Sequence, residues 1–201
     1  MSDNHSLLAF VGEKISVDYF NPYEGTDQIP FDAGFKCKYK VMQWVYGKLP
    51  EDTIEFEAYT HRGSLFFDDY QNVLLFVSKS DDKLYHEKYQ FFPVYRTKNG
   101  RWASCGDPYL SDSRVGKGVP VLKLEFDSPP AFNFKVLSEK YSPEYVGAVF
   151  MEPWFNCHTD SATCNMGAYV EDLFRVKRDG VLMARELFHV LPDTSSRKPN
   201  Q

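Results

Sequence analysis

Cys37-Lys-Tyr-Lys-Val-Met-Gln-Trp-Val-Tyr46, then Gly47-Lys-Leu-Pro-Glu-Asp52, then Thr53-Ile-Glu-Phe-Glu-Ala-Tyr59 and, after a polar gap, Val73-Leu-Leu-Phe-Val77, is the stretch whose reading decides the fold. Counted from Phe35, the odd positions Phe35, Cys37, Tyr39, Val41 and Val45 are mostly apolar, and Lys36, Lys38 and Lys40 alternate with them. That period of two is the mark of a half-buried strand, whose successive side chains leave on opposite faces. Ile54, Phe56 and Ala58 alternate with Glu55 and Glu57 in the same way. A Gly, a Pro and two acids lie between the runs, so the pair reads as a hairpin with a longer loop. Residues 73–77 have no polar face, which predicts a strand covered on both sides. The polar face of the first strand begins with lysines but ends with Met42, Trp44 and Tyr46. A later part of the chain is therefore expected to lie over Trp44.

Outward from this centre, residues 7–20 read as a first strand in which Gly12 marks a bulge or a close backbone approach. Residues 21–34 form a loop broken by Pro22, Gly25, Pro30 and Gly34. Residues 84–95, rich in Tyr and Phe, read as a strand that Pro93 confines to an edge or a bulge, because proline cannot donate to a ladder. Asn99-Gly100 predicts a hairpin turn, and 106–120, with three glycines and two prolines, is a long loop and the best internal boundary. A short strand at 121–126 and a segment at 132–141 that fits helix or strand follow. In 170–188 the Asp179-Gly180 pair favours a short helical turn at 170–173 and then a hairpin, since Gly inside a helix costs about 1 kcal/mol relative to Ala. The fold class is mainly β: an OB-like small barrel with an additional β-rich C-terminal segment and few short helices. The expected division is a barrel domain at 1–110, an extension packed on it at 111–192, and a disordered tail at 193–201.

A chain of 201 residues with 17 Phe and 13 Tyr can bury a large core and favours strands. Net charge is −5 with the signs interspersed. There is no basic stripe to neutralise phosphates, so nucleic acid is not an expected partner. No run reaches the roughly 18 apolar residues of a membrane span. Nor does the start, Met1-Ser-Asp-Asn-His-Ser6, resemble a signal peptide. Either the protein is cytoplasmic, or a leader has been replaced by Met. The four cysteines allow three pairings. Cys157 with Cys164 and Cys37 with Cys105 is the expected one, in a periplasmic or secreted protein; four free thiols in a cytoplasmic protein are the other reading.

In order, Phe10-Val-Gly-Glu-Lys-Ile-Ser-Val17, Tyr39-Lys-Val-Met-Gln-Trp-Val-Tyr-Gly47, Asp52-Thr-Ile-Glu-Phe-Glu57, residues 73–77 and residues 89–95 resemble the netrin or tissue-inhibitor-of-metalloproteinase type of OB barrel. The likeness covers residues 8–97. It implies a barrel that works by binding a protein. Those inhibitors reach a protease zinc with an N-terminal Cys, and this chain has no Cys before Cys37, so no inhibitory residue is carried over. The 59–73 connection is also short for the helix that many OB folds place there. Asp172-Leu-Phe-Arg-Val-Lys-Arg-Asp-Gly180 is similar to the last hairpin of SnoaL-like domains, whose early helices this chain lacks.

Cys157-His-Thr-Asp-Ser-Ala-Thr-Cys164 is the most chemically loaded segment. Its spacing is wider than the two to four residues between zinc-knuckle cysteines, and no second pair is near, so a closed disulfide loop is preferred and no metal is expected. A Cys157–His158 dyad is disfavoured because neighbouring side chains in an extended segment point apart. With no hydrolase, nucleotide or metalloprotease motif, no catalytic residue and no cofactor are assigned. Tyr85, Tyr89, Phe92, Tyr95, Trp102 and Tyr109 crowd one region; they form either core or a protein-binding surface. The functional expectation is a non-enzymatic cell-envelope or secreted module recognising a protein partner, of inhibitor, immunity or adaptor type. The alternatives are a hydrolase whose site assembles only in the fold and a cytoplasmic small-molecule-binding domain.

Overall fold

The computed structural model describes residues 6–27, 31–110, 112, 116 and 118–188. The protein is mainly β, with three sheets and a few short helices. The first sheet contains β1 (Ser6–Phe20), β2 (Ala33–Tyr46), β3 (Thr53–Thr60), β4 (Asn72–Ser80) and β5 (Lys83–Pro93). They close into a barrel-like ring in the order β1-β2-β3-β5-β4, with the long β1 shared between β2 and β4. A curled sheet of alternating strands is what the period of two predicts for this part of the chain. Its thinnest seam is the parallel contact of β3 with β5, a single pairing of Glu57 with Tyr85. A 3-10 turn at Phe66–Asp69 joins β3 to β4 and drives Phe67 into the ring, against His86 at 4.6 Å and Phe91 at 6.0 Å.

Strand β4 is buried on both faces, and each face serves a different core. Val73, Leu75 and Val77 point into the ring with Phe10, Tyr39 and Phe56. Leu74 and Phe76 point outward and join Leu7, Ala9 and Val11 beneath the C-terminal helix. Of the two alternatives expected at Gly12, the structure shows the bulge, and side-chain rings crowd the glycine. The β1–β2 register shifts there, and a Cβ would stand 3.0 Å from the rings of Phe10 and Tyr39.

Beyond the ring come β6 (Tyr95–Arg96) and β7 (Trp102–Cys105), a hairpin turned at Gly100 with φ 81°. Next are β8 (Leu122–Lys123), β9 (Ala131–Asn133), α1 (Phe134–Ser138), α2 (Pro143–Val149), β10 (Phe155–Cys157), β11 (Ser161–Cys164) and β12 (Met166–Tyr169). Segment 132–141, which fitted helix or strand, is both: β9 passes into α1 where Asn133 Oδ1 accepts the Val136 N–H at 3.2 Å. Two small sheets result, β6-β7-β12-β8 and β10-β11-β9. Because β7 pairs with β12, residues before and after position 110 share one sheet. Gly167 is needed there, since a Cβ would fall 1.9 Å from the Ser104 carbonyl oxygen.

The expected hairpin at 170–188 is overturned. Val170–Lys177 is helix α3, continued by a wide π-type turn at Arg178–Leu182. Gly180 does break the helix (φ −109°, ψ −108°), but Asp112 accepts the freed Val181 N–H at 2.7 Å and the chain resumes a helical course. The apolar positions Val170, Leu173, Phe174, Val181 and Leu182 all pack into the outer core. Burying that stripe outweighs the cost of about 1 kcal/mol for one glycine. This helix is also what covers the end of β2. It does so through Tyr46, stacked on Phe174 at 5.0 Å, whereas Trp44 packs on Phe10 at 5.5 Å. The tail expected to be disordered, 193–201, lies outside the described residues.

Candidate functional site

Where the ring meets the extension lies a groove of about 760 Å³. The ring side supplies Phe66, Tyr70, Tyr89 and Phe91, and β6 adds Tyr95. Phe66 faces the groove because its neighbour Phe67 is drawn inward by the 3-10 turn. From the extension come Phe132, Tyr141, Tyr145, Phe150 and Phe155. Ser142 caps α2 by accepting the Tyr145 N–H at 3.3 Å, which fixes the turn on which Tyr141 stacks against Tyr145 at 4.8 Å. The two sides are tied together by Lys140 to Asp69 at 2.7 Å and by Phe66 against Tyr141 at 6.5 Å.

The groove is aromatic with a sparse polar trim. Burial pushes the Tyr95 phenol up to about 12, and the same cause raises Tyr70 and Tyr141, the latter helped by Tyr145 and Asp69. Near neutral pH these hydroxyls stay protonated, so they serve as hydrogen-bonding groups and not as bases. Arg62 lies at the same end as Tyr89, its guanidinium carbon 5.6 Å from the centre of the Phe66 ring and 5.4 Å from that of Tyr89.

Tyr89 is held in an uncommon way. Strand β5 pairs with β4 on either side of residues 87–90, which bulge out between the pairs Leu75 with Phe91 and Val77 with His86. Within the bulge Tyr89 takes φ 66°, a left-handed conformation that side chains other than glycine rarely adopt. His61 Nδ1 stands 2.8 Å from its hydroxyl. The irregularity of this strand therefore falls at 87–90, while Pro93 still pairs with Val73 at the strand's end.

Of the six aromatics singled out by sequence, Tyr89, Phe92 and Tyr95 line the groove. Tyr85 lies on the β3–β5 seam. Trp102 is buried in the outer core with the Arg96 guanidinium 4.9 Å from its ring, and Tyr109 is buried with its hydroxyl accepting the Val119 N–H at 2.6 Å. Sequence reasoning missed Arg62, Phe66 and the Tyr141–Tyr145 pair. The four-residue spacing of that pair was the one signal available, but its helical context was ambiguous.

The cysteine pairing is corrected. Cys105 bonds to Cys164, while Cys37 and Cys157 are free. Cys37 is enclosed in the ring core, and burial, then Asp68 and Asp18, push its thiol up to about 12. Cys157 sits on β10 opposite Ala162, and it is Phe155 that stands opposite Cys164. Gly167 on β12 pairs with Cys105, which brings the nearby Cys164 to it. In the loaded loop, Cys157 is exposed and donates to the Phe150 carbonyl at 3.3 Å. Among the described residues no cluster of His, Cys, Asp and Glu is arranged to hold a metal ion, and no helix is long and apolar enough to cross a membrane.

A second cleft, of about 560 Å³, opens beside the β3–β5 seam. Much of its charge is already paired, Lys38 with Glu55 at 2.8 Å and Lys83 with Glu57 at 2.9 Å. No protein-family model, no curated protein and no solved structure matches the chain.

Proposed function

We propose that this protein is a binding module that recognises a protein partner through the aromatic groove. The observation that carries the reading is the groove itself, a trough walled by aromatic rings from two parts of the chain. Tyr and Arg are the side chains that anchor protein interfaces. Leu110 and Tyr145, both lining residues, remain 54% and 49% exposed; exposed apolar rims of this kind mark interaction sites. Tyr70, Tyr95 and Tyr141, whose pKa values burial raises, offer such a partner hydrogen-bonding hydroxyls at neutral pH. The Cys105–Cys164 disulfide supports a periplasmic or secreted setting, because reducing compartments keep thiols free. The ring order supports the likeness of residues 8–97 to netrin and tissue-inhibitor barrels, and an inhibitor, immunity or adaptor role goes with it.

One observation favours a second reading, a small-molecule-binding domain: about 760 Å³ falls within the range of single-ligand pockets. Affinity capture from an extract of the source cells separates the two. The expected result is a stoichiometric protein retained by the native chain and lost with a Tyr145→Ala, Phe66→Ala double variant that still melts cooperatively. Retention by both proteins would refute the groove as the binding surface.

A further inference from the structure

Arg62 is the groove's uncommitted charge. The other lining cation, Lys140, is neutralised by Asp69 at 2.7 Å, and the lining acid Asp107 accepts the Tyr109 N–H at 2.9 Å. Arg62 forms no ion pair with any acid among the described residues. Instead its guanidinium lies over Phe66 and Tyr89. Neither ring supplies an oxygen to the guanidinium's N–H donors, and those donors match the two oxygens of a carboxylate. The second observation is the strained backbone of Tyr89 (φ 66°), which puts one of those rings in place. In a chain of net charge −5, a bare cation in an apolar trough is a selective feature.

We infer that Arg62 is an anion anchor, and that the groove takes an acidic peptide segment of the partner that carries apolar side chains beside its acid. One carboxylate of the segment, from an Asp or Glu side chain or from its C-terminus, pairs with the Arg62 guanidinium. Its apolar side chains lie along Tyr141, Tyr145 and Phe150. Charge complementarity selects the anion, and the aromatic walls select what accompanies it. The inference rests on the protein-binding reading above, but it can fail while that reading stands.

The test is selection from a random peptide library on the native protein and on Arg62→Gln. Enriched peptides are expected to combine aromatic or aliphatic residues with an acid, and the acid preference is expected to vanish with Arg62→Gln while the apolar preference persists. For one selected peptide, replacing its acid by the amide should weaken binding to the native protein by about tenfold, the size expected of a charge-assisted hydrogen bond, and leave binding to Arg62→Gln unchanged. Amidating the C-terminus separates the two sources of the carboxylate. Apolar peptides without an acid preference, or an acid preference that survives Arg62→Gln, would overturn the anchor and leave the protein-binding reading intact. Failure of any peptide to enrich would sink both. If naphthoate then bound in an Arg62-dependent way, the site would belong to a small carboxylate and not to a peptide.

Discussion

Arg185, just past the helical segment at the C-terminus, donates to the Glu87 carboxylate at 2.7 Å and to the Lys88 carbonyl at 2.9 Å. Both acceptors belong to the bulge that carries Tyr89. One side chain from the end of the chain thus fixes an irregular stretch of the ring and, through it, one end of the groove. Glu87 also accepts from the Ser78 hydroxyl. The bulge is therefore held from the ladder side and from the helix side at once, as a residue at positive φ requires.

Arg185→Ala is expected to lower stability by about 0.5 to 1.5 kcal/mol, since both bonds lie at an exposed site where solvent screens the ion pair. It should also loosen the groove, because Tyr89 no longer has a fixed platform. Denaturant unfolding reads the first effect, and faster exchange of the 87–90 amides reads the second. Unchanged exchange in that stretch would show that the bulge holds itself.

His86 lies beneath the same clamp. Its Nε2 stands 2.9 Å from the Gln90 carbonyl and must carry the proton of the neutral ring, since a carbonyl only accepts. Burial, with a smaller push from Arg185, lowers its pKa to about 4. The unfolded chain takes up a proton near 6.5 while the folded ring does not, so this stability is present above about pH 6.5 and is lost as pH falls toward 4. The slope is about 1.4 kcal/mol per pH unit, which caps the loss near 3 kcal/mol; partial exposure of the residue brings it closer to 1 or 2. Stability curves of the native protein and His86→Gln, measured between pH 7 and 4, should converge as pH falls. Parallel curves would mean the ring protonates freely.

Much of the ring could be read from side-chain alternation. Lys36, Lys38 and Lys40 against Cys37 and Tyr39 fix which face of β2 points inward, and the unbroken run at 73–77 signalled a strand serving two cores. What stayed hidden depends on partners distant in sequence. Gly180 looks like a turn because the group that satisfies its break, Asp112, lies 69 residues before the Val181 whose N–H it accepts. The groove was half visible. Tyr89, Phe92 and Tyr95 stand in one aromatic run, but the facing wall comes from 132–155, and nothing local says that the two oppose. Asp112→Ala is accordingly expected to cost about 1 to 3 kcal/mol by stranding the Val181 N–H in the core. Calorimetry that found less than half a kcal/mol would show the break capped by something else.

The corrected cysteine pairing predicts a thiol pattern that no other pairing gives. Native, unreduced protein should expose a single reactive thiol, Cys157, because Cys37 is 2% exposed and its pKa is near 12. Denaturation without reductant should add Cys37, and denaturation with reductant should reveal all four cysteines. Cys105→Ser should cost about 2 to 4 kcal/mol, since the bond spans a sequence separation of 59. Four thiols in denatured, unreduced protein would remove the disulfide and, with it, the support for an oxidising compartment.

At the centre of the ring Tyr39 is fully buried, and its hydroxyl has no hydrogen-bond partner among the described residues. The ring itself is well placed, stacked on Phe56 at 5.7 Å and edge-on to Phe67 at 6.2 Å. An unsatisfied buried hydroxyl carries a desolvation cost of about 1 to 3 kcal/mol that phenylalanine, with the same shape, does not. Tyr39→Phe should therefore leave stability unchanged or raise it by about 1 kcal/mol, against the usual direction of core substitutions. A clear loss of stability on chemical unfolding would mean that the hydroxyl has a partner in the folded protein. Such a partner would have to reach it inside the ring, and the seam between β3 and β5, joined by the one pairing of Glu57 with Tyr85, is where the sheet is thinnest.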